Sequence, residues 1–391
     1  MPRGVCVLGA GVTKFGELWE QSFRGLIGEA GLAAVKDANI AGDDIDAIYV
    51  GSMSAGRFIG QEHVGALVVD EAGLSHRHIP ATRVEAADAS GAAALRQGFL
   101  AVMSGEHDVV VVGGVEKMTD ATDQEQTNTL ATALDAEWEA FYGSTAPAVH
   151  ALMAQAHMQK HGTTREMLSA VSVKNHENGA LNKKAAYPFT ITKEQVLGSP
   201  LVADPLRVLD VAANVDGAAA VVLCSEEKAR QFHEKPVKIL ASAQASDRFA
   251  LHDRDDITGF AATRAAARRA YERARLAPRD IDVAEVHDAF TIGEIMAVED
   301  LGFVDKGSGG KAALNGLTAR SGERPVNTSG GLKARGHPPG ATGLAQVHEI
   351  VRQLRGEAAE RQVRDARVGL TQNVGGSGAT AVVHLFGRGW S

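Results

Sequence analysis

Cysteine, aromatic residues and clustered positive charge are what this 391-residue sequence has least of. Its two cysteines, Cys6 and Cys224, each lie inside an apolar strand-like run, VCVLGAG and AAAVVLCS. Thiols so placed read as buried core residues, and two of them make neither a metal cluster nor a disulfide framework. A reducing cytoplasm is therefore the expected compartment. The formal net charge is −8 and no long Lys/Arg run occurs, so the footprint that neutralises nucleic-acid phosphates is missing. A small polyanion is still compatible with this charge if a few local cations and helix N-termini hold it. No apolar run approaches the ~18 residues of a membrane span, and the chain opens on a strand-like segment with no signal peptide before it.

What is present fits a large globular α/β chain. Hydrophobic residues make up 45%, charged residues 23%, and there are 43 glycines, a composition suited to alanine-rich helices packed closely on strands. The pattern is written twice. ANIAGDDIDAIYVG (38–51) returns as ARLAPRDIDVAEVHD (274–288), each a helix end, a polar turn, Asp-Ile-Asp and a strand. MSGE leading into DVVVVGG returns as LRGE leading into ARVGLTQNVGG, and GAAAVVLCSEE (217–227) returns as GATAVVHLFG (378–387). Ordered self-similarity at this length implies a duplication, with lobes at 1–233 and 234–391 related by a pseudo-twofold. A mixed segment at about 119–207 interrupts the first lobe and reads as a cap over the sheet edge, where substrate-covering residues usually sit.

Four strand-to-helix loops carry the chemistry-bearing residues: VEAADASGAAALRQG (84–98), EVHDAF (285–290), NTSGGLKARGHPPGATG (327–343) and TQNVGGSGAT (371–380). With TKFGELWE, FIGQEH and GGVEKM, they occur in an order and spacing that resembles the thiolase superfamily, specifically its archaeal-type and sterol-carrier-type branch. The resemblance spans almost the whole chain. It implies the thiolase fold, duplicated five-layered α-β-α-β-α lobes with a loop insertion, and acyl-CoA C-acyltransferase chemistry on acetyl-CoA or a 3-oxoacyl-CoA.

At position 88 the resemblance implies a nucleophilic cysteine at the start of a helix, where a thiolate is favoured. This chain has Asp88. A carboxylate there is a weaker nucleophile and would give a labile mixed anhydride, so covalent catalysis is expected to fail. Two roles for Asp88 stay open: a helix cap, or a carboxylate that orients or charges a histidine.

His287 and His337 take the family's active-site histidine positions, one polarising the thioester carbonyl and the other handling a proton. Asn373, Gly375 and Gly376 form the oxyanion loop, with asparagine where many thiolases carry a second cysteine. Ser329, Gly330 and Gly331 are assigned to substrate binding, although each glycine alone is equally a turn or close-packing position. His157/His161 and His76/His78 lack a third ligand nearby, and no metal site is expected. No cofactor is expected beyond the coenzyme A thioester, which is substrate. The resemblance also implies a homodimer or tetramer, a small zinc-ribbon/OB-fold partner protein, and association with a hydroxymethylglutaryl-CoA synthase. Neither nucleic acid nor membrane is among the expected partners. Two other functions compete: a cysteine-independent acyl-CoA lyase working by retro-aldol cleavage, and a non-catalytic scaffold subunit.

Overall fold

Valine- and alanine-rich runs of eight to ten residues form the central strands. A computed structural model of the chain describes residues 3–389. Its main sheet has nine strands: β1 (Val5–Val12), β2 (Ala47–Gly51), β3 (Ala81–Val84), β4 (Val109–Glu116), β5 (Gly217–Ser225), β6 (Val237–Ser246), β7 (Val283–Glu285), β8 (Val368–Gly375) and β9 (Thr380–Arg388). The spatial order is β3-β2-β4-β5-β1-β6-β9-β8-β7. Strand β4 is parallel to β2 and antiparallel to β5, and β8 is likewise parallel to β7 and antiparallel to β9. The halves meet edge to edge through a ladder that pairs only Cys6 with Lys238 and Val7 with Val237. The mirrored order is the structural counterpart of the repeated sequence.

Strand alternation sends each half-sheet's side chains into two different cores. On one face, Leu8, Ile48, Val111 and Val222 pack under helix α1 (Phe23–Ala38). On the other, Val7, Val110, Val112 and Val221 join a central core with helices α2 (Ser90–Ser104) and α7 (Pro339–Arg355). A third core holds Ala243, Val383 and Leu385 against α5 (Ala261–Ala274) and α6 (Thr291–Asp300). With the central core enclosing α2 and α7 between the two half-sheets, the layers run α-β-α-β-α, as expected. Helices α2 and α7 touch backbone to backbone: a Cβ on Gly91 would stand 2.5 Å from the Gly340 carbonyl oxygen, and one on Gly343 2.5 Å from the Ala92 nitrogen. The small residues therefore bring the two helix starts, one from each half of the sheet, into contact.

The segment 119–207 folds mainly into helices, among them α3 (Ala146–His161) and α4 (Arg165–Ala180), plus a short hairpin, Leu201–Ala203 with Leu206–Arg207. Thr145 caps α3 by accepting from Ala148 N, and Pro147 sits in its first turn, where a missing N–H costs nothing. Among the described residues no helix is long and apolar enough to cross a membrane.

Candidate active site

Strand β3 and helix α2 are joined by a turn that requires a left-handed residue, Ala87, at φ 51°. Ser90 locks the turn, its hydroxyl donating to Ala87 O and accepting from Ala86 N. This backbone, unfavourable for a side-chain-bearing residue, immediately precedes Asp88. Asp88 does not cap α2. Ala89 holds the cap position without a side-chain bond, and the Asp88 carboxylate turns instead to His337 Nε2 at 3.1 Å and to the Gly376 N–H at 2.8 Å. Of its two open roles, the geometry therefore selects the histidine partner. Burial alone would raise the Asp88 carboxyl, but the His337 hydrogen bond and charge, with the Gly376 N–H, outweigh it and draw it to about 2.

His337 precedes α7, and its ring is fixed from behind. Thr342 donates its hydroxyl to Pro338 O at 2.9 Å, so its oxygen accepts from His337 Nδ1–H at 2.7 Å. With the proton of Nδ1 committed to Thr342, contact between Nε2 and the ionised Asp88 requires a proton on that axis as well. The two side chains form a hydrogen-bonded histidine–carboxylate pair, 9% and 15% exposed.

His287 stands edge-on to His337, ring centroids 5.1 Å apart at 89°. Its tautomer is dictated by a chain of amides. Gln346 donates to Gln372 O, which leaves Gln346 Oε1 to accept from Asn373 Nδ2, and that same NH2 donates to His287 Nδ1 at 3.1 Å. His287 therefore carries its proton on Nε2 and presents a donor. Burial, reinforced by the nearby His337 charge, holds it neutral, with its pKa lowered to about 3.

These groups share one cavity of about 350 Å³, lined by Asp88, His150, His287, His337 and Gly376 at its polar end and by Leu130, Leu134, Val202, Val211 and Phe290 along its walls. Leu130, Leu134, His150 and Val202 come from the segment 119–207. His150, on α3, is the residue that sequence reading passed over. Its ring stacks on Phe290 with centroids 4.1 Å apart, and Nδ1 bonds Ala146 O at 2.9 Å. The signal available was a histidine in the first turns of an otherwise apolar helix within the cap.

Other expected site residues lie elsewhere. Asn373 is buried behind His287 and orients it, rather than lining the cavity. Gly375 packs against the Ala86 carbonyl, where a Cβ would come within 2.3 Å, and only its neighbour Gly376 reaches the cavity. Ser329, Gly330 and Gly331 are likewise outside the cavity lining. Ser329 donates its hydroxyl to Glu285 and its N–H to Glu285 Oε1 at 3.0 Å, Gly330 packs on Gly179, and Gly331 lies against the Asp288 carboxylate. The following residues, Leu332 and Lys333, donate their N–H groups to Asp288. This turn binds buried carboxylates and ties the His337 loop to the His287 loop. His157, suspected of nothing more than chance pairing with His161, is buried between Thr163 and Glu299.

A second anchor is Glu116, at the end of β4. Its Oε2 accepts from Met53 N and Gly340 N at 2.8 and 3.0 Å, and its Oε1 from Ser54 N at 3.1 Å. Burial pushes this carboxyl up to about 7 against the pull of those donors. Glu116→Gln would turn an NH2 toward backbone N–H groups, and is expected to lower the unfolding free energy by about 1–3 kcal/mol, read as a lower urea midpoint with an unchanged slope.

Comparison with known proteins decides the family. The family model "Thiolase, N-terminal domain" matches residues 5–227, and "Thiolase C-terminal domain-like" matches 243–388. The chain belongs to the thiolase family. An acetyl-CoA acetyltransferase of Methanothermobacter thermautotrophicus is 58% identical over 386 residues, covering 99% of this chain and 100% of that one. Sterol carrier protein 2 of Oryctolagus cuniculus is 35% identical, over 100% of this chain and 73% of its own length. Among solved structures, the Ltp2-ChsH2(DUF35) aldolase superimposes with a TM-score of 0.85 at 26% identity, covering 99% of this chain and 98% of that one. As a thiolase the chain sits among acyltransferases that act on CoA thioesters. The cavity described above lies where α2 and α7, the helices its two thiolase halves contribute to the central layer, begin.

Proposed function

We propose that this thiolase binds acyl-CoA thioesters in the Asp88–His287–His337 cavity and is built for acyl-CoA C-acyltransfer, the condensation of two acetyl-CoA or the thiolysis of a 3-oxoacyl-CoA. We further propose that the covalent half of that reaction is missing as the sequence stands, because Asp88 occupies the nucleophile position. The observation that carries this reading is the carboxylate itself. It is paired with His337 and fills the Gly376 N–H, the donor otherwise free to stabilise a developing oxyanion.

In this reading the thioester carbonyl oxygen is received by the His287 Nε2–H. The α-proton passes to the Asp88 carboxylate, the member of the Asp88–His337 pair that keeps a lone pair free, and the apolar walls exclude water from the enolate. No step requires a bound cofactor. Asp88, hydrogen-bonded to His337 and to the Gly376 N–H, holds the imidazole in place but does not carry the acyl group.

A second reading has its own support. A site with an oxyanion donor and proton-handling histidines but no nucleophile suffices for retro-aldol cleavage of a 3-hydroxyacyl-CoA, and the solved neighbour at 26% identity is named an aldolase. That neighbour is also a complex with a DUF35 protein. This agrees with a proposed small zinc-ribbon/OB-fold partner for this chain, beside a second copy of itself and a hydroxymethylglutaryl-CoA synthase.

The deciding experiment supplies acetoacetyl-CoA and CoA to the parent chain and to Asp88→Cys, with products followed by chromatography and mass spectrometry. Acetyl-CoA formed only by the variant supports the first reading. Aldehyde or ketone released by the parent from a 3-hydroxyacyl-CoA supports the second. Inactivity of both forms with tight partner binding would leave a scaffold.

A further inference from the structure

The cavity holds three imidazoles in three different hydrogen-bonding states. His287 receives a hydrogen bond at Nδ1 and so presents a donor, and His337 directs its Nε2 proton at Asp88. His150 is the complement of His287. Its Nδ1 faces the Ala146 carbonyl, an acceptor, so the proton is on Nδ1 and Nε2 keeps a free lone pair across the ring. The helix cap at Thr145 and the stack on Phe290 hold the ring in that orientation. His150 is 5% exposed, lines the cavity, and is close enough to Asp88 for the carboxylate charge to act on it.

The free groups at this end are one donor, His287 Nε2–H, and acceptors on His150 and Asp88, and a simple acyl thioester, whose carbonyl oxygen takes the donor, offers His150 no partner. The His150 acceptor is matched by a substrate that brings its own donor beside the thioester. We propose that His150 is a specificity-determining residue whose Nε2 accepts a hydrogen bond from the hydroxyl of a 3-hydroxyacyl-CoA, selecting that class over saturated acyl-CoA of equal length. Burial, the largest influence, lowers the His150 pKa to about 4, so the ring stays a neutral acceptor at physiological pH. The carbonyl goes to His287, the hydroxyl to His150, and the remaining chain to the walls formed by Leu130, Leu134 and Val202. This inference rests on acyl-CoA binding in the cavity, which both readings share, and favours the second of them, whose substrate carries the 3-hydroxyl.

The test is calorimetric titration of the full chain with 3-hydroxybutyryl-CoA and with butyryl-CoA, on the parent, His150→Phe and His150→Gln. Phenylalanine keeps the ring stack on Phe290 but offers no lone pair, whereas glutamine keeps an acceptor. The parent is expected to bind the hydroxy compound about tenfold more tightly, His150→Phe to lose that preference with butyryl-CoA binding unchanged, and His150→Gln to recover part of it. Equal binding of the two thioesters by the parent, or a preference that survives His150→Phe, overturns the assignment. A uniform loss for both ligands in His150→Phe also overturns it, by transferring the contact to an amide N–H of the pantetheine arm. Should neither thioester bind the parent at all, the acyl-CoA reading of the cavity falls as well, so the two failures are distinguishable.

Discussion

Asp88→Cys is expected to raise thiolysis of acetoacetyl-CoA by about 10³-fold or more over the parent. The surroundings of position 88 are those that lower a thiol's pKa: the His337 Nε2 proton at 3.1 Å, the Gly376 N–H at 2.8 Å, and the first turn of α2 two residues on. A thiolate there attacks the 3-oxo carbonyl of acetoacetyl-CoA, the C2–C3 bond breaks and acetyl-CoA leaves as its enolate, taking the proton held at His337, and the acetyl group stays on sulfur until the thiol of a CoA molecule removes it as a second acetyl-CoA. The shorter cysteine side chain also vacates the Gly376 N–H, which the carboxylate occupies in the parent, so one substitution supplies both the nucleophile and a free oxyanion donor. Intact-mass spectrometry of Asp88→Cys after brief exposure to acetyl-CoA is expected to show an acetylated chain. Asp88→Ser, with a hydroxyl that lacks thiolate character, is expected to show none. If Asp88→Cys folds yet neither acquires an acyl group nor cleaves acetoacetyl-CoA, position 88 is not the nucleophile position and the proposed chemistry is lost.

How much of this was legible beforehand differs between scaffold and site. Most of the strands could be read because they are short runs rich in valine and alanine bounded by glycine or polar turns, and because the runs recur in the same order in the second half. The loops carrying His287 and His337 could be placed for a related reason: His287 follows a strand and His337 precedes a helix, where an α/β layer exposes side chains. What the spacing did not carry is direction. A glycine-rich loop looks the same in sequence whether its N–H groups meet a ligand or a buried carboxylate, and the NTSGG turn meets Glu285 and Asp288. Asn373 shares that ambiguity, since its role is set by Gln346 and His287, which lie far from it in the chain. His150 was hidden by distance too. Only the docking of α3 over the sheet edge brings it to Phe290 and Asp88, and no local pattern within 119–207 encodes that docking.

His337→Ala is expected to destabilise the fold by about 3 kcal/mol near neutral pH, because it strands the largely buried Asp88 carboxylate without its partner. The pH dependence distinguishes this cause from loss of packing. The folded Asp88 pKa is depressed from its ordinary 3.8 to about 2, so the stability that the pair contributes is present above the unfolded value and is lost as pH falls through the folded one. The gap in unfolding free energy between parent and His337→Ala is therefore expected to be full at neutral pH and to close as pH falls, first as the stranded Asp88 of the variant takes up a proton and last as the parent's carboxyl titrates near 2. Burial is the largest influence on Asp88 and acts to raise it. With His337 removed, only the Gly376 N–H opposes that influence, and the carboxyl in the variant is expected to titrate upward. Adding Asp88→Asn to His337→Ala removes the stranded charge and is expected to recover much of the loss, a coupling that a double-mutant cycle in urea measures directly. A gap that persists unchanged into acid, or a double variant no more stable than His337→Ala alone, would mean that the imidazole serves as filler, and that the ion pair on which the substrate chemistry depends is not formed.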